Sequence, residues 1–219
     1  AFLDSDDEFA PRKLELQIDL LRQRPDLGFV YSDYSIIDDD GRPLGTAFTT
    51  KFPIARTLPC QQVASTAFAC TASLFDSLIR GYFVSTITGI VRRDILGTSI
   101  RFSETHAYAE EWLFFLEIAR ATQAGFVDQP LSIHHYTPGS LARSDKRRNL
   151  LGMRALFQEM RRRFADASRP QHLAMRSNLA RVCRQLGQDA ASERPMQAFA
   201  FALEALTQEP TLAAFRECA

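Results

Sequence analysis

The stretch Phe29-Val30-Tyr31-Ser32-Asp33-Tyr34-Ser35-Ile36-Ile37 carries apolar or aromatic side chains on both of its alternating faces. A strand that is apolar on both sides belongs at the centre of a sheet covered on both faces. Upstream, Ala10 to Arg24 reads as a helix: Pro11 suits the first turn, and Leu14, Ile18 and Leu21 fall on one face with Leu20 beside them. Pro25 ends it, and Asp26-Leu27-Gly28 turns the chain into the strand. Downstream, Asp38-Asp39-Asp40-Gly41 is ordinary turn chemistry.

Further outward, residues 42–74 hold prolines at 43, 53 and 59 and read as a long connection with a short helix near Gln61 to Ala64. Phe75 to Arg80 reads as a short helix ended by Gly81, and Val84 to Arg92 as a strand rich in β-branched residues. Asp94-Ile95-Leu96 begins a helical turn. Glu110 to Thr122 reads as a helix with Trp112, Phe115, Leu116 and Ala119 on one face. Gly125 to Tyr136 reads as the last strand, followed by a Thr-Pro-Gly-Ser turn. Helices and strands interleave, which argues an α/β domain with helices packed on a sheet. Strands near 29–37, 84–92 and 125–135 are expected in one sheet, with a stub at 1–3 at its edge.

After Arg143 the strands stop. Leu150, Met153, Phe157, Met160 and Phe164 step by three and four, as do Met175, Leu179, Val182 and Leu186, and Met196, Phe199, Leu203 and Leu206. These stripes predict three amphipathic helices, with Gly187 stopping the second and Pro195 starting the third. The last two resemble a tetratricopeptide helix pair, read here as an accessory cap or an oligomer contact. The division expected is an α/β domain over 1–145 and a helical region over 146–219.

The composition, 46% hydrophobic and 24% charged, is that of an ordinary globular protein. No apolar run approaches the roughly eighteen residues of a membrane span, and no signal-peptide pattern is present. Cysteines 60, 70, 183 and 218 show no metal-site spacing and read as reduced thiols of an intracellular protein. The zero net charge conceals an asymmetry. Residues 1–42 hold eleven acids against five bases, and residues 143–194 hold thirteen bases against five acids. An acidic front suits a cation; a basic back suits a membrane leaflet or lipid-linked diphosphate, giving a cytoplasmic protein with a peripheral contact at the inner membrane face. No nucleic-acid-binding motif accompanies the basic residues.

The acidic front is densest in Phe2-Leu3-Asp4-Ser5-Asp6-Asp7-Glu8-Phe9-Ala10-Pro11, read as a strand end loaded with carboxylates. Crowded carboxylates raise one another's pKa and are relieved by a cation. Mg²⁺ or Mn²⁺ fits, because these hard ions bind through one or two carboxylates plus substrate phosphates. The alternative is that the aspartates only favour the positive end of the following helix.

Leu3-Asp4-Ser5-Asp6-Asp7, Pro11, Lys13-Leu14-Glu15, Gln17 and Val30-Tyr31-Ser32-Asp33 resemble the middle of a family 2 glycosyltransferase of the GT-A fold. Ser85-Thr86, Val91-Arg92-Arg93, Phe102-Ser103-Glu104 and Glu110-Glu111-Trp112-Leu113 resemble the later part of the same domain. The resemblance covers roughly residues 1 to 145. It implies a partial GT-A sheet and a metal-dependent, inverting transfer of sugar from a nucleotide-sugar donor to a glycan or lipid-linked hydroxyl. Asp4 and Asp6 take the two positions of the Asp-X-Asp element that holds the donor diphosphate, with Asp6 and Asp7 as metal contacts. Glu111, flanked by Glu110, stands where the family has its catalytic-base aspartate. His135 and Thr137 stand where the family often has an arginine and then a histidine, making His135 the diphosphate contact. Because adjacent strand residues face opposite ways, at most one of His134 and His135 joins a given site. Family members begin with strands and helices that bind the base and ribose, so this chain reads as a piece of a longer protein, inactive alone, whose uncovered sheet edge invites self-association. A non-catalytic binding or assembly module on the same scaffold is the competing expectation.

Overall fold

A computed structural model describes residues 1–52, 55, 57–104, 108–136 and 145–209. The turn expected at 137–140, with Thr137, and the residues Arg143, Pro210 and Cys218 lie outside the described residues. The chain divides into two units, residues 1–102 with 114–138, and residues 103–113 with 139–219.

In the first unit β1 (Glu8–Phe9), β2 (Leu27–Ile37), β3 (Pro43–Thr46), β4 (Cys60–Gln62), β5 (Ala67–Cys70), β6 (Ile90–Val91) and β7 (Gln123–His135) form one seven-stranded sheet. Its order is β3-β2-β7-β5-β4, with β1 on β7 and β6 on β2. β2 and β7 run parallel from Leu27↔Gln123 to Ile37↔His135, whereas every other pairing is antiparallel. The helices of this unit are α1 (Lys13–Gln23), α2 (Ala47–Thr50), α3 (Leu74–Arg80), α4 (Arg93–Leu96) and, from residue 114 on, α5 (Glu110–Ala121). The protein is therefore α/β, a mixed sheet with flanking helices.

β2 is central and covered, as its two-faced pattern requires. On one face Phe29 and Tyr31 meet Phe48, Phe83, Phe115 and Phe126, with ring centroids 5.3–6.2 Å apart. On the other, Val30 packs with Leu20, Leu21, Val127 and Leu131. Each fully buried aromatic or aliphatic side chain contributes about 1.5–3 kcal/mol of transfer free energy, so this strand anchors the unit.

Several expectations are corrected. Ala1 to Leu3 is not a strand: a reverse turn at Asp4–Asp7, closed by Asp7 N–H to Asp4 O (3.2 Å), takes those residues off the sheet. Phe2 instead packs edge-on against Phe102 and Phe114. Helix α1 starts at Lys13, and its buried face is Lys13, Gln17, Leu20 and Leu21, while Leu14 is 46% exposed. The polar pair is drawn inward because it can bond backbone carbonyls of the sheet side. Gln61 to Ala64 is not helical but forms β4 and the turn into β5. Residues 84–92 divide into a 3-10 turn (Thr86–Thr88) and β6. Arg92 donates to Leu27 O and Leu21 O, so it fastens the start of β2 to α1.

The second unit contains α6 (Lys146–Arg163), α7 (Arg169–Ala190) and α8 (Pro195–Gln208). The first two stripes are buried as expected, through Phe157, Met160, Phe164, Met175, Leu179, Val182 and Leu186. Gly187 does not stop α7. It faces α8, where a Cβ would make only ordinary contact, 3.4 Å from Ala198 O. The third stripe faces outward, with Met196 79% exposed and Phe199 and Leu203 also exposed, because α8 packs instead through its small face at Ala205. Among the described residues no helix is long and apolar enough to cross a membrane.

Candidate functional site

The antiparallel register of β1 on β7, Glu8↔Ile133 and Phe9↔Ser132, carries Asp7 to the level of His134. The Asp7 carboxylate is only 4% exposed. Its Oδ1 lies 3.0 Å from His134 Nδ1 and accepts the His135 backbone N–H at 3.2 Å. The His135 ring turns the other way, placing Nε2 2.8 Å from Glu8 Oε1. The expectation that neighbouring strand residues diverge holds here, with each ring held by a different carboxylate.

Asp7 is thus a fastening point. By closing the turn it presents Asp4, Ser5 and Asp6 to solvent at the carboxyl end of the parallel pair β2 and β7. Tyr34 underlies the same place, edge-on to His134 with ring centroids 6.0 Å apart. Its phenol pKa is raised by burial and then by the negative charges of Asp33 and Asp7.

Two further buried polar groups near this end enter the sequence reading only through the family resemblance, with no role assigned to them. Asp33, in β2, accepts from Tyr34 N–H (2.7 Å), Phe48 N–H (3.1 Å) and Thr46 Oγ1 (2.6 Å), so it ties β3 and the start of α2 to the central strand. Lys13 donates from Nζ to Gln17 Oε1 (2.7 Å) and Thr88 O (3.0 Å), and the ammonium lies 4.9 Å from the Phe9 ring centroid. Burial pushes its pKa down to about 7. A lysine in an apolar stripe is the signal that could have marked it.

A divalent ion bound through substrate phosphates needs only one or two protein carboxylates, the rest of its shell being phosphate and water oxygens. The exposed Asp4 and Asp6 side chains fit that requirement; Asp7, also expected as a metal contact, has its Oδ1 3.0 Å from His134 Nδ1 and accepting the His135 N–H. No cluster of three or more His, Cys, Asp or Glu able to hold a metal unaided occurs among the described residues.

Glu110 and Glu111 open α5, both half-buried, in the second unit. The residue before them, Ala109, has φ 53°, a left-handed conformation disfavoured for alanine. Ala109 O accepts the Trp112 N–H at 3.0 Å, and Trp112 packs edge-on against Phe157. Tyr108 rests on Gly152 of α6, and its phenol pKa is raised by burial and by the charge of Glu111. The helix start is therefore held by the second unit's own core. The sequence matches no protein-family model and no curated protein.

Proposed function

We propose that this chain takes part in a divalent-cation-dependent, inverting transfer of a sugar from a nucleoside-diphosphate sugar to a hydroxyl acceptor. The observation that carries the reading is the carboxylate turn Asp4–Asp7, fastened by His134 and the His135 backbone at the carboxyl end of two parallel strands. Ligands of α/β sheets gather at that end.

In this reading Asp4 and Asp6 would hold Mg²⁺ or Mn²⁺, which would supply positive charge to the departing diphosphate. Asp7 positions the turn. His135, steered by Glu8, contacts the diphosphate. The family resemblance assigns the general base toward the acceptor hydroxyl to Glu111, with Glu110 as the alternate, and attack from the face opposite the leaving group inverts the sugar. Glutamate is one methylene longer than the aspartate of the resembling family, so the strained Ala109 turn that sets its direction bears on where that carboxylate falls.

The test is a screen of nucleotide sugars for cation-dependent release of nucleoside diphosphate, on the protein in its longest natural form. Release that requires Mg²⁺ or Mn²⁺ and is lost in Asp6→Asn supports the reading; no release with any donor, or release indifferent to Asp6, overturns it.

A second reading, a non-catalytic binding or assembly module, is favoured by the outward apolar stripe Met196, Phe199 and Leu203 on α8. Many basic residues of α6 are already paired within the second unit, Arg147 with Asp189 and Arg154 with Glu204 among them, which reduces the charge left for a membrane surface. Donor binding by the protein separates the two readings.

A further inference from the structure

Cys60 and Cys70 are directly opposite on β4 and β5. The bonds Thr71 N–H to Pro59 O and Val63 N–H to Ala67 O place hydrogen-bonded pairs at 59/71 and 63/67. Since such pairs alternate along an antiparallel ladder, 60/70 falls on a non-hydrogen-bonded position, where the strands bring side chains closest. Their Sγ atoms are 3.7 Å apart, and both thiols are free. The Cα spacing of about 4.5 Å typical of such a position lies within the range that a disulfide spans. Cys60 is half-buried on the edge strand, so a small reagent can reach it, while Cys70 is buried behind it.

We propose that Cys60 and Cys70 form a reversible dithiol–disulfide couple, oxidised by a low-molecular-weight disulfide such as oxidised glutathione. The Cys60 thiolate attacks one sulfur of the oxidant, forming a mixed disulfide and expelling one glutathione thiolate, which takes up the proton that Cys60 lost. Cys70 then gives up its proton, attacks Cys60 Sγ and expels the second glutathione. Two protein S–H bonds are replaced by one S–S bond, and one oxidant disulfide is reduced to two thiols. The order of attack follows the environment of the pair: the hydrogen bond between the thiols lowers the pKa of Cys60, and the same bond, with burial, raises that of Cys70. The product pins the edge strand β4 to β5. Cys70 and Gln61 both line a cleft of about 600 Å³ with Arg24, Ser73, Arg120 and Thr122, so the couple sits at a ligand-sized opening.

The 219-residue chain, equilibrated with mixtures of reduced and oxidised glutathione, acid-quenched, alkylated and digested, tests this by mass spectrometry. The expected result is a mass lower by two hydrogens, a linked Cys60–Cys70 peptide, complete loss of those two alkylatable thiols, and full reversal by dithiothreitol. Cys70→Ser should trap glutathione on Cys60, and Cys60→Ser should leave Cys70 unmodified while the chain keeps its far-ultraviolet circular dichroism. Absence of the linked peptide in the most oxidising mixture, glutathione remaining on Cys60 when Cys70 is present, or preferential linkage to Cys183 would overturn the proposal.

Discussion

The Asp7 carboxylate and the His134 imidazole, 3.0 Å apart, join the first turn of the chain to the end of its last strand. Because Asp7 is nearly buried and also accepts the His135 N–H, Asp7→Asn should lower stability by about 1–3 kcal/mol in chemical denaturation. Asp6, which is exposed, should behave oppositely: Asp6→Asn should stay within about 0.5 kcal/mol of the unaltered chain while abolishing transfer. Equal stability losses in the two variants would refute this division of labour.

Stability should depend on pH through Lys13. Burial lowers its folded-state pKa to about 7 from 10.5. Between those values the unfolded chain binds a proton that the folded chain does not, so raising the pH stabilises the fold across this window, and below it the dependence fades. The gain between about pH 7 and 10 should reach about 3 kcal/mol relative to Lys13→Met, in which the slope from this residue is absent. A Lys13→Met difference that stays flat with pH would mean that the ammonium is not depressed.

Two glycines should part company. A Cβ at Gly125 would lie 2.8 Å from Leu27 Cδ1 and 3.2 Å from the Phe68 carbonyl oxygen, a backbone atom that cannot swing aside. Gly125→Ala should therefore cost about 1–3 kcal/mol. Gly81 has nothing within 4 Å of that position and an extended backbone, so Gly81→Ala should be neutral or slightly stabilising. Thermal unfolding of the two variants measures both, and a Gly125→Ala protein as stable as its parent would contradict the packing described.

The turn before the candidate base should be strained. Ala109→Gly, which relieves the left-handed conformation at φ 53°, should raise stability by about 1 kcal/mol, less the backbone entropy that glycine loses on folding. Glu111→Gln keeps the shape but cannot take a proton, so turnover should fall by about 10² to 10⁴ with donor affinity unchanged. Unchanged turnover in Glu111→Gln together with a fall in Glu110→Gln would transfer the role to Glu110.

What could be read from the sequence was local. The two-faced pattern of Phe29 to Ile37 gave away the central strand, the Trp112–Ala119 stripe gave away α5, and Asp38 to Gly41 formed the expected turn, with Gly41 at φ 75° and Asp38 Oδ1 accepting two backbone N–H groups. What escaped depended on pairing between distant residues. Ala1 to Leu3 looks like a strand, but the register of Glu8 with Ile133 decides which residues pair. Leu14 is as apolar as Leu21, yet Lys13 and Gln17 displaced it from the core because Thr88 O and Val30 O awaited donors there. Likewise Cys60 and Cys70 show no motif spacing, and only the β4–β5 register sets them opposite. The outward apolar face of α8 was hidden for a related reason, since which face of that helix is buried, the one with Ala205, depends on its packing partner.

The most direct measurement of the central claim, that Asp4 and Asp6 hold a divalent ion against a diphosphate, is titration of Mn²⁺ into the chain with pyrophosphate present, followed by loss of the free-ion electron paramagnetic resonance signal. Binding should require pyrophosphate and weaken by about tenfold or more in Asp6→Asn, the loss expected when a ligating group is removed. Binding of equal strength in Asp6→Asn, or no binding by the unaltered chain at any pyrophosphate concentration, would contradict it.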